Sequence, residues 1–240
     1  MPAIAVVFAS YRLPAERLHD HFKWNAAVYG NQVRVYVVSD VEHDLPSYAE
    51  TIIIPEDRLP QVNGKPVFSL SLTKNAGIAK AIADGADMIV STDVDISFDI
   101  PAWCVPPQGA AVIPIYRMAE SHETRADGRL DHGCTGTVIM AAEHWRTIQY
   151  DERLYGYGKE DGALCQSIMQ GGLDIVRTSE VAHIAHCSGD SQRTPGHGSD
   201  TCWNRASGFN PNRFRANLAI CLALRQGNGP RIRRSGGAIP

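Results

Sequence analysis

Short runs of β-branched and aromatic residues alternate along this chain with stretches whose apolar positions recur every three or four residues. Ala3–Ala9 (AIAVVFA) is a run of the first kind and predicts a buried strand. Pro14 then opens a helical segment to about Val28, with Leu18, Phe22 and Ala26 on one face. Val33–Val38 (VRVYVV) and Thr51–Ile54 predict two further strands, stopped by Ser39-Asp40 and by Pro55. Ser69–Asp84 (SLSLTKNAGIAKAIAD) predicts a strong helix closed by Gly85 as its C-cap. Asp87–Ser91 (DMIVS) predicts a buried strand that runs into Thr92-Asp93-Val94-Asp95.

Beyond Pro101 the pattern loosens. Ala110–Tyr116 and Cys134–Met140 predict strands, Glu160–Gln170 a helix ending at Gly171-Gly172, and Ile175–His186 holds another strand. Cys187–Arg213 is crowded with Gly, Ser, Asn and Pro and predicts a long functional loop; Asn217–Arg225 predicts a last helix. There is no internal repeat. Alternating strands and helices argue for a parallel sheet with right-handed crossovers and helices on its faces. Ligands of such sheets sit beyond the carboxyl ends of the strands.

Length and composition narrow the classes. At 240 residues and 26.2 kDa the chain fits one large domain or a domain with an appendage, and leaves no room for a second enzymatic domain. With 44% hydrophobic and 20% charged residues it can pack a core, which excludes disorder over most of its length. A formal charge of −3 gives no strong whole-protein attraction to nucleic acid or an anionic membrane. No apolar run approaches the ~20 residues of a membrane span, and the start lacks the basic region of a signal peptide, so a cytoplasmic location is expected. The six cysteines are widely spaced with no C-x-x-C pair, which argues against a zinc ribbon or a disulfide framework and for buried thiols.

Candidate chemistry starts at Asp93 and Asp95. Two carboxylates one residue apart, at the end of a hydrophobic strand, suit a hard divalent cation shared with phosphate oxygens. Lys74-Asn75-Ala76-Gly77 reads as the start of a helix whose amides and cation face a pyrophosphate, or as plain helix capping.

The K-N-x-G helix followed by IVSTDVD resembles the nucleotide-sugar half of GT-A glycosyltransferases. Leu154–Leu164 (LYGYGKEDGAL) is similar to the aromatic-Gly-aromatic-Gly-x-Glu-Asp signature of the β-1,4-galactosyltransferase and chondroitin-polymerase type. Gly133-Cys134-Thr135-Gly136 followed by a strand and Trp145 resembles the segment that shapes that family's acceptor pocket. His183-Ile184-Ala185-His186 falls where the family carries a late metal-ligand motif. The resemblance covers roughly Val6 to His186 and implies a GT-A, Rossmann-like α/β fold with a mixed sheet flanked by helices. It divides residues 1–226 into a nucleotide-sugar half (1–100) and an acceptor half (101–226, with the loop 187–213), followed by a basic flexible tail, 227–240.

The resemblance implies a metal-dependent, inverting transfer of a hexose from a UDP-sugar to an acceptor hydroxyl. Asp161 is then the general base and Glu160 orients the acceptor, with Tyr155 and Tyr157 stacking on it. Asp93 touches the donor sugar or ribose, and Ser10, Arg12, Asp40, Lys74, Asn75 and Gly136 complete the nucleotide-sugar site. Asp95, His183 and His186 are the expected ligands of a divalent cation, and imidazole donors favour Mn²⁺ over Mg²⁺. On an extended strand His183 and His186 point to opposite faces, so both reach one ion only from a bent segment.

The expected acceptor is a glycan. The alternative is a hydroxymethylated base in nucleic acid, held by the arginines of the last stretch (Arg205, Arg213, Arg215, Arg225, Arg231, Arg233, Arg234). A second enzyme class, sugar-nucleotide nucleotidyl transfer, normally carries a Gly-rich signature after the first strand, which FASYRLP lacks. A non-catalytic sugar-binding module is disfavoured by the Asp93, Asp95, Asp161 and His186 set. Oligomeric state is left open.

Overall fold

The computed structural model describes residues 2–11, 15–29, 33–94, 96–97, 105–119, 130–131, 136–155 and 159–184. Strand β1 (Ile4–Ala9) leads to helix α1 (Ala15–Trp24), then β2 (Val33–Ser39) and β3 (Ala49–Ile53). A small hairpin, β4 (Gln61–Val62) and β5 (Lys65–Pro66), precedes helix α2 (Leu70–Ala83) and strand β6 (Met88–Ser91). There follow β7 (Ile96–Ser97), β8 (Ala110–Ala119), β9 (Leu130–Asp131), β10 (Val138–Ala141), the short helix α3 (Ala142–Trp145), helix α4 (Glu160–Gln170) and β11 (Asp174–Ile184).

The main sheet has the order β3-β2-β1-β6-β10-β8-β11-β7, with β9 paired to β8. From β3 to β6 it is parallel, as the alternation predicts. Beyond β6 that expectation is corrected, because β10 runs antiparallel to both β6 and β8. The reason is visible in the sequence: a parallel neighbour needs a crossover, usually helical, and no helix-length pattern lies between Ser91 and Met140. The sheet is therefore the mixed one that the GT-A resemblance implies.

Both faces are covered. Val6 and Phe8 of β1 share one buried cluster with Leu18 and Phe22 of α1. Ala5, Val7 and Ala9, which point the other way, share a second with Ile78 and Ala81 of α2 and Leu164 and Ile168 of α4. Helix α2 approaches the sheet closely at Gly77, where an added Cβ would fall 2.4 Å from Val7 Cγ1 and 2.8 Å from Val38 Cγ2. Ser69 caps α2 by accepting from the Leu72 amide, and Gly85 (φ 83°) ends it in a left-handed turn. There the amides of Gly85 and Ala86 reach back to the carbonyls of Ile82 and Ala81, so the last carbonyls are satisfied. Among the described residues no helix is long and apolar enough to cross a membrane.

Three of the sequence expectations fall outside the described residues: the loop 187–213, the helix Asn217–Arg225 and the tail 227–240; of the strand expected over Cys134–Met140, residues 134 and 135 also lie outside them, and the strand begins at Val138. Of the cysteines, Cys165 is described; it is buried and in no disulfide.

Candidate active site

Because α2 enters a strand parallel to β1, its first turns stand at the carboxyl edge of the sheet. Helix α4 enters β11, which runs parallel to β8, so its first turn, Glu160-Asp161, stands at the same edge. Three consecutive residues at the end of β6 are each fastened there. Ser91 Oγ lies 2.9 Å from Tyr150 Oη, and Thr92 Oγ1 lies 2.7 Å from Thr137 Oγ1. Asp93 Oδ1 accepts from Lys74 Nζ at 2.8 Å.

The Lys74 ammonium is fully buried, whereas the Asp93 side chain is 28% exposed. Nζ also donates to Gly136 O at 3.0 Å and lies 5.3 Å from the centre of the Tyr150 ring. Burial alone pushes an ammonium pKa down, yet the charge of Asp93, with contributions from Tyr150 and Asp161, holds that of Lys74 well above its ordinary value. Lys74 is thus a permanent cation and no base at neutral pH. Tyr150 is pushed the same way, first by burial, and stays a phenol.

Gly136 completes the cradle. A Cβ there would fall 1.7 Å from Asp93 Oδ2, so only glycine lets the carboxylate lie across this backbone.

The structure turns Lys74 and Asn75 inward. They lie in the second turn of α2, whose first free amides belong to earlier residues, so the motif does not open the helix. Asn75 Nδ2 donates to Tyr150 O and to Glu152 Oε1, both at 2.9 Å, and Asn75 Oδ1 accepts from the Tyr150 amide at 3.0 Å. Both side chains hold protein groups in place of facing out toward a diphosphate. Helical spacing carries this signal: Lys74, Ile78 and Ala81 fall at i, i+4 and i+7, one face of α2, and Ile78 and Ala81 are core.

Ser10 follows β1, with its amide donating to Val38 O at 2.8 Å; its buried Oγ has no hydrogen-bond partner among the described residues. Asp40 follows β2 at intermediate burial. Glu160 is buried and Asp161 half-buried, and Asp161 is close enough to Lys74 and Tyr150 for its charge to raise both pKa values. Tyr155 is half-buried, beside Leu154, whose carbonyl accepts from Ser69 Oγ at 3.2 Å. That bond ties the approach to the Glu160-Asp161 motif to the cap of α2.

His183 lies on β11, and its backbone is registered against Ile96, the residue after Asp95. Arg12, Asp95, Tyr157 and His186 lie outside the described residues. Sequence reasoning placed Ser91 and Thr137 in strands and left Tyr150 unassigned, and it missed the part all three take in fastening this edge.

No family model matches the sequence, and no curated protein is significantly similar to it. Solved structures do match its fold. GalNAc-T7 with UDP, GalNAc and Mn²⁺ superposes with a TM-score of 0.57 at 11% identity, over 79% of this chain and 45% of that one. The mannosyltransferase PcManGT from Pyrobaculum calidifontis, in complex with GDP-Man and Mn²⁺, superposes with a TM-score of 0.54 at 15% identity, over 95% of this chain and 66% of that one. The fold is that of the GT-A glycosyltransferases. The chain spans less than half of the first neighbour and about two thirds of the second.

The residue types expected to serve a divalent cation, carboxylate and imidazole, suit one by their chemistry. Among the described residues no three potential ligands come together. The strand pairing brings the backbone of His183 beside that of Ile96, the residue that follows Asp95 in the sequence.

Proposed function

We propose that this chain is a metal-dependent, inverting glycosyltransferase that moves a hexose from a UDP-sugar to an acceptor hydroxyl. The observation that carries the reading is the Lys74–Asp93–Gly136 cradle at the carboxyl edge of a GT-A sheet. A buried cation and a glycine without room for a Cβ fix one carboxylate of the Asp93-Val94-Asp95 pair in place. Such preorganisation is what a donor site needs, because a group held in advance costs little to orient when the ligand arrives.

In this reading Asp93 meets the donor sugar or ribose, and Ser10, Arg12 and Asp40 line the nucleotide. Asp95, His183 and His186 would hold a divalent cation, Mn²⁺ by preference, which when bound would supply charge neutralisation for the diphosphate leaving group. The acceptor oxygen bonds to the anomeric carbon as the bond from that carbon to the diphosphate breaks, and the diphosphate leaves with the electron pair. Asp161 takes the acceptor proton, and Glu160, Tyr155 and Tyr157 orient the acceptor. The N-terminal turn of α4 favours an ionised carboxylate at Asp161. One displacement inverts the anomeric configuration. The expected acceptor is a glycan hydroxyl.

The test is UDP release from a panel of UDP-hexoses, with Mn²⁺ and a set of mono- and oligosaccharide acceptors, and the product configuration read by proton NMR. Inverted product whose formation falls at least about 100-fold in Asp161→Asn supports the reading. A retained configuration, or unchanged turnover in that variant, contradicts it.

A further inference from the structure

We infer that His21 and Asn25, at the end of α1, are positioning residues for the Asp93-Val94-Asp95 turn, gripping the backbone on either side of Asp95. The inference rests on the proposal that Asp95 ligates the donor-binding cation. His21 Nδ1 lies 2.8 Å from Val94 O, and Asn25 Nδ2 donates to Ile96 O at 3.0 Å. The two residues are one helical turn apart, and the carbonyls they reach belong to the residues immediately before and after Asp95. Asn25 Nδ2 also donates to His21 O at 3.0 Å, which locks the two clamps together.

The chemistry of His21 is determined by its partners. A carbonyl oxygen only accepts, so Nδ1 carries the hydrogen. Nε2, 2.8 Å from Tyr29 Oη, then accepts from the phenol in the neutral ring. Tyr29 is buried, which raises its pKa well above the ordinary value and keeps that hydrogen in place. Aromatic rings enclose the imidazole, with Phe8 at 4.2 Å, Tyr29 at 5.6 Å and Phe22 at 5.9 Å between centroids.

Both His21 and Asn25 are completely buried, so their polar groups are costly unless bonded. An apolar pair would fill this corner of the core more simply. What it would not do is hold two carbonyls of the turn that carries Asp93, whose carboxylate meets Lys74 of α2. Through Phe8 and the α1 packing, the turn is tied to β1 as well as to β6.

The test compares His21→Leu and Asn25→Leu with His21→Asn, which returns a donor close to the Nδ1 position, and with Val35→Ala, a core cavity elsewhere in the same cluster. In metal-free protein, amide hydrogen exchange of a peptide spanning 92–97 is expected to rise at least tenfold in both Leu variants. It should return toward wild type in His21→Asn and stay unchanged in Val35→Ala. Mn²⁺ affinity in the presence of UDP, read from the EPR signal of free Mn²⁺, is expected to weaken about 10-fold in the Leu variants, as for other residues that orient metal ligands. Exchange no faster than in Val35→Ala, or wild-type Mn²⁺ affinity in both Leu variants, overturns the inference. A wild-type protein that binds Mn²⁺ no better than Asp95→Asn overturns the reading of Asp95 itself, and the inference with it.

Discussion

Lys74→Met isolates the contact on which the site is built. At 2.8 Å the ammonium and the Asp93 carboxylate attract by about 6 kcal/mol at an effective dielectric of about 20. Against this stands the desolvation of a fully buried lysine, several kcal/mol in itself. Removing one partner of a buried pair costs about 3–5 kcal/mol, chiefly because the other charge is stranded. Asp93 keeps 28% of its side-chain surface, so water recovers part of that, and about 2–3 kcal/mol remains. At about 2–4 °C per kcal/mol for a chain of this size, the melting temperature should fall by about 4–12 °C. Adding Asp93→Asn removes the stranded charge, so the double variant should lie well above the sum of the single losses in a double-mutant cycle. Calorimetry or circular dichroism of the four proteins reads both quantities. A Lys74→Met protein that melts within 1 °C of wild type, or strictly additive losses, would refute the reasoning.

Gly136→Ala drives a Cβ to 1.7 Å from Asp93 Oδ2 and should turn the carboxylate off Lys74, costing about 1–3 kcal/mol; wild-type stability by urea titration would contradict the cradle. Gly77→Ala raises helix propensity by about 1 kcal/mol but meets Val7 and Val38 at 2.4 and 2.8 Å, so a net loss of stability is expected and a net gain would show that α2 has room to move. Lys74, Tyr29 and Tyr150 all have folded-state pKa values above their unfolded ones. Their contribution is therefore complete below about pH 10 and is lost as pH rises further, at up to about 1.4 kcal/mol per pH unit for each group. Melting temperatures followed from pH 8 to 11 should fall increasingly steeply above about 10, and less steeply in Lys74→Met; a flat profile to pH 11 would contradict these shifts.

The elements with strong periodicity were legible in the sequence. Helix α4 spans Glu160–Gln170 as its pattern predicts, and Gly172 (φ 79°) closes it as Gly85 closes α2. Strands β1, β2 and β6 lie within about a residue of their apolar runs. What failed to show was set by distant partners. Strand β7 is two residues long and exists by pairing with β11, far along the chain. The β4–β5 hairpin carries a turn signal in Asn63-Gly64, both at positive φ, but its strands are too short to show alternation.

The candidate site divides the same way. Asp93, Asp161 and Glu160 are recognisable as acids near strand and helix ends, whereas the inward direction of Lys74 follows only from tracing the face of α2. The role of Tyr150 depends on a loop that brings it under β6, and nothing local encodes that.

The central claim is a cation-dependent nucleotide site at the carboxyl edge of the sheet. The most direct measurement is calorimetric binding of UDP to the wild-type chain and to Asp93→Asn and Asp95→Asn, each with and without Mn²⁺. The account predicts UDP binding that requires Mn²⁺ in the wild type and is lost or greatly weakened in both variants. Binding that is equal in all three proteins, or no binding of UDP with any divalent cation, would contradict it.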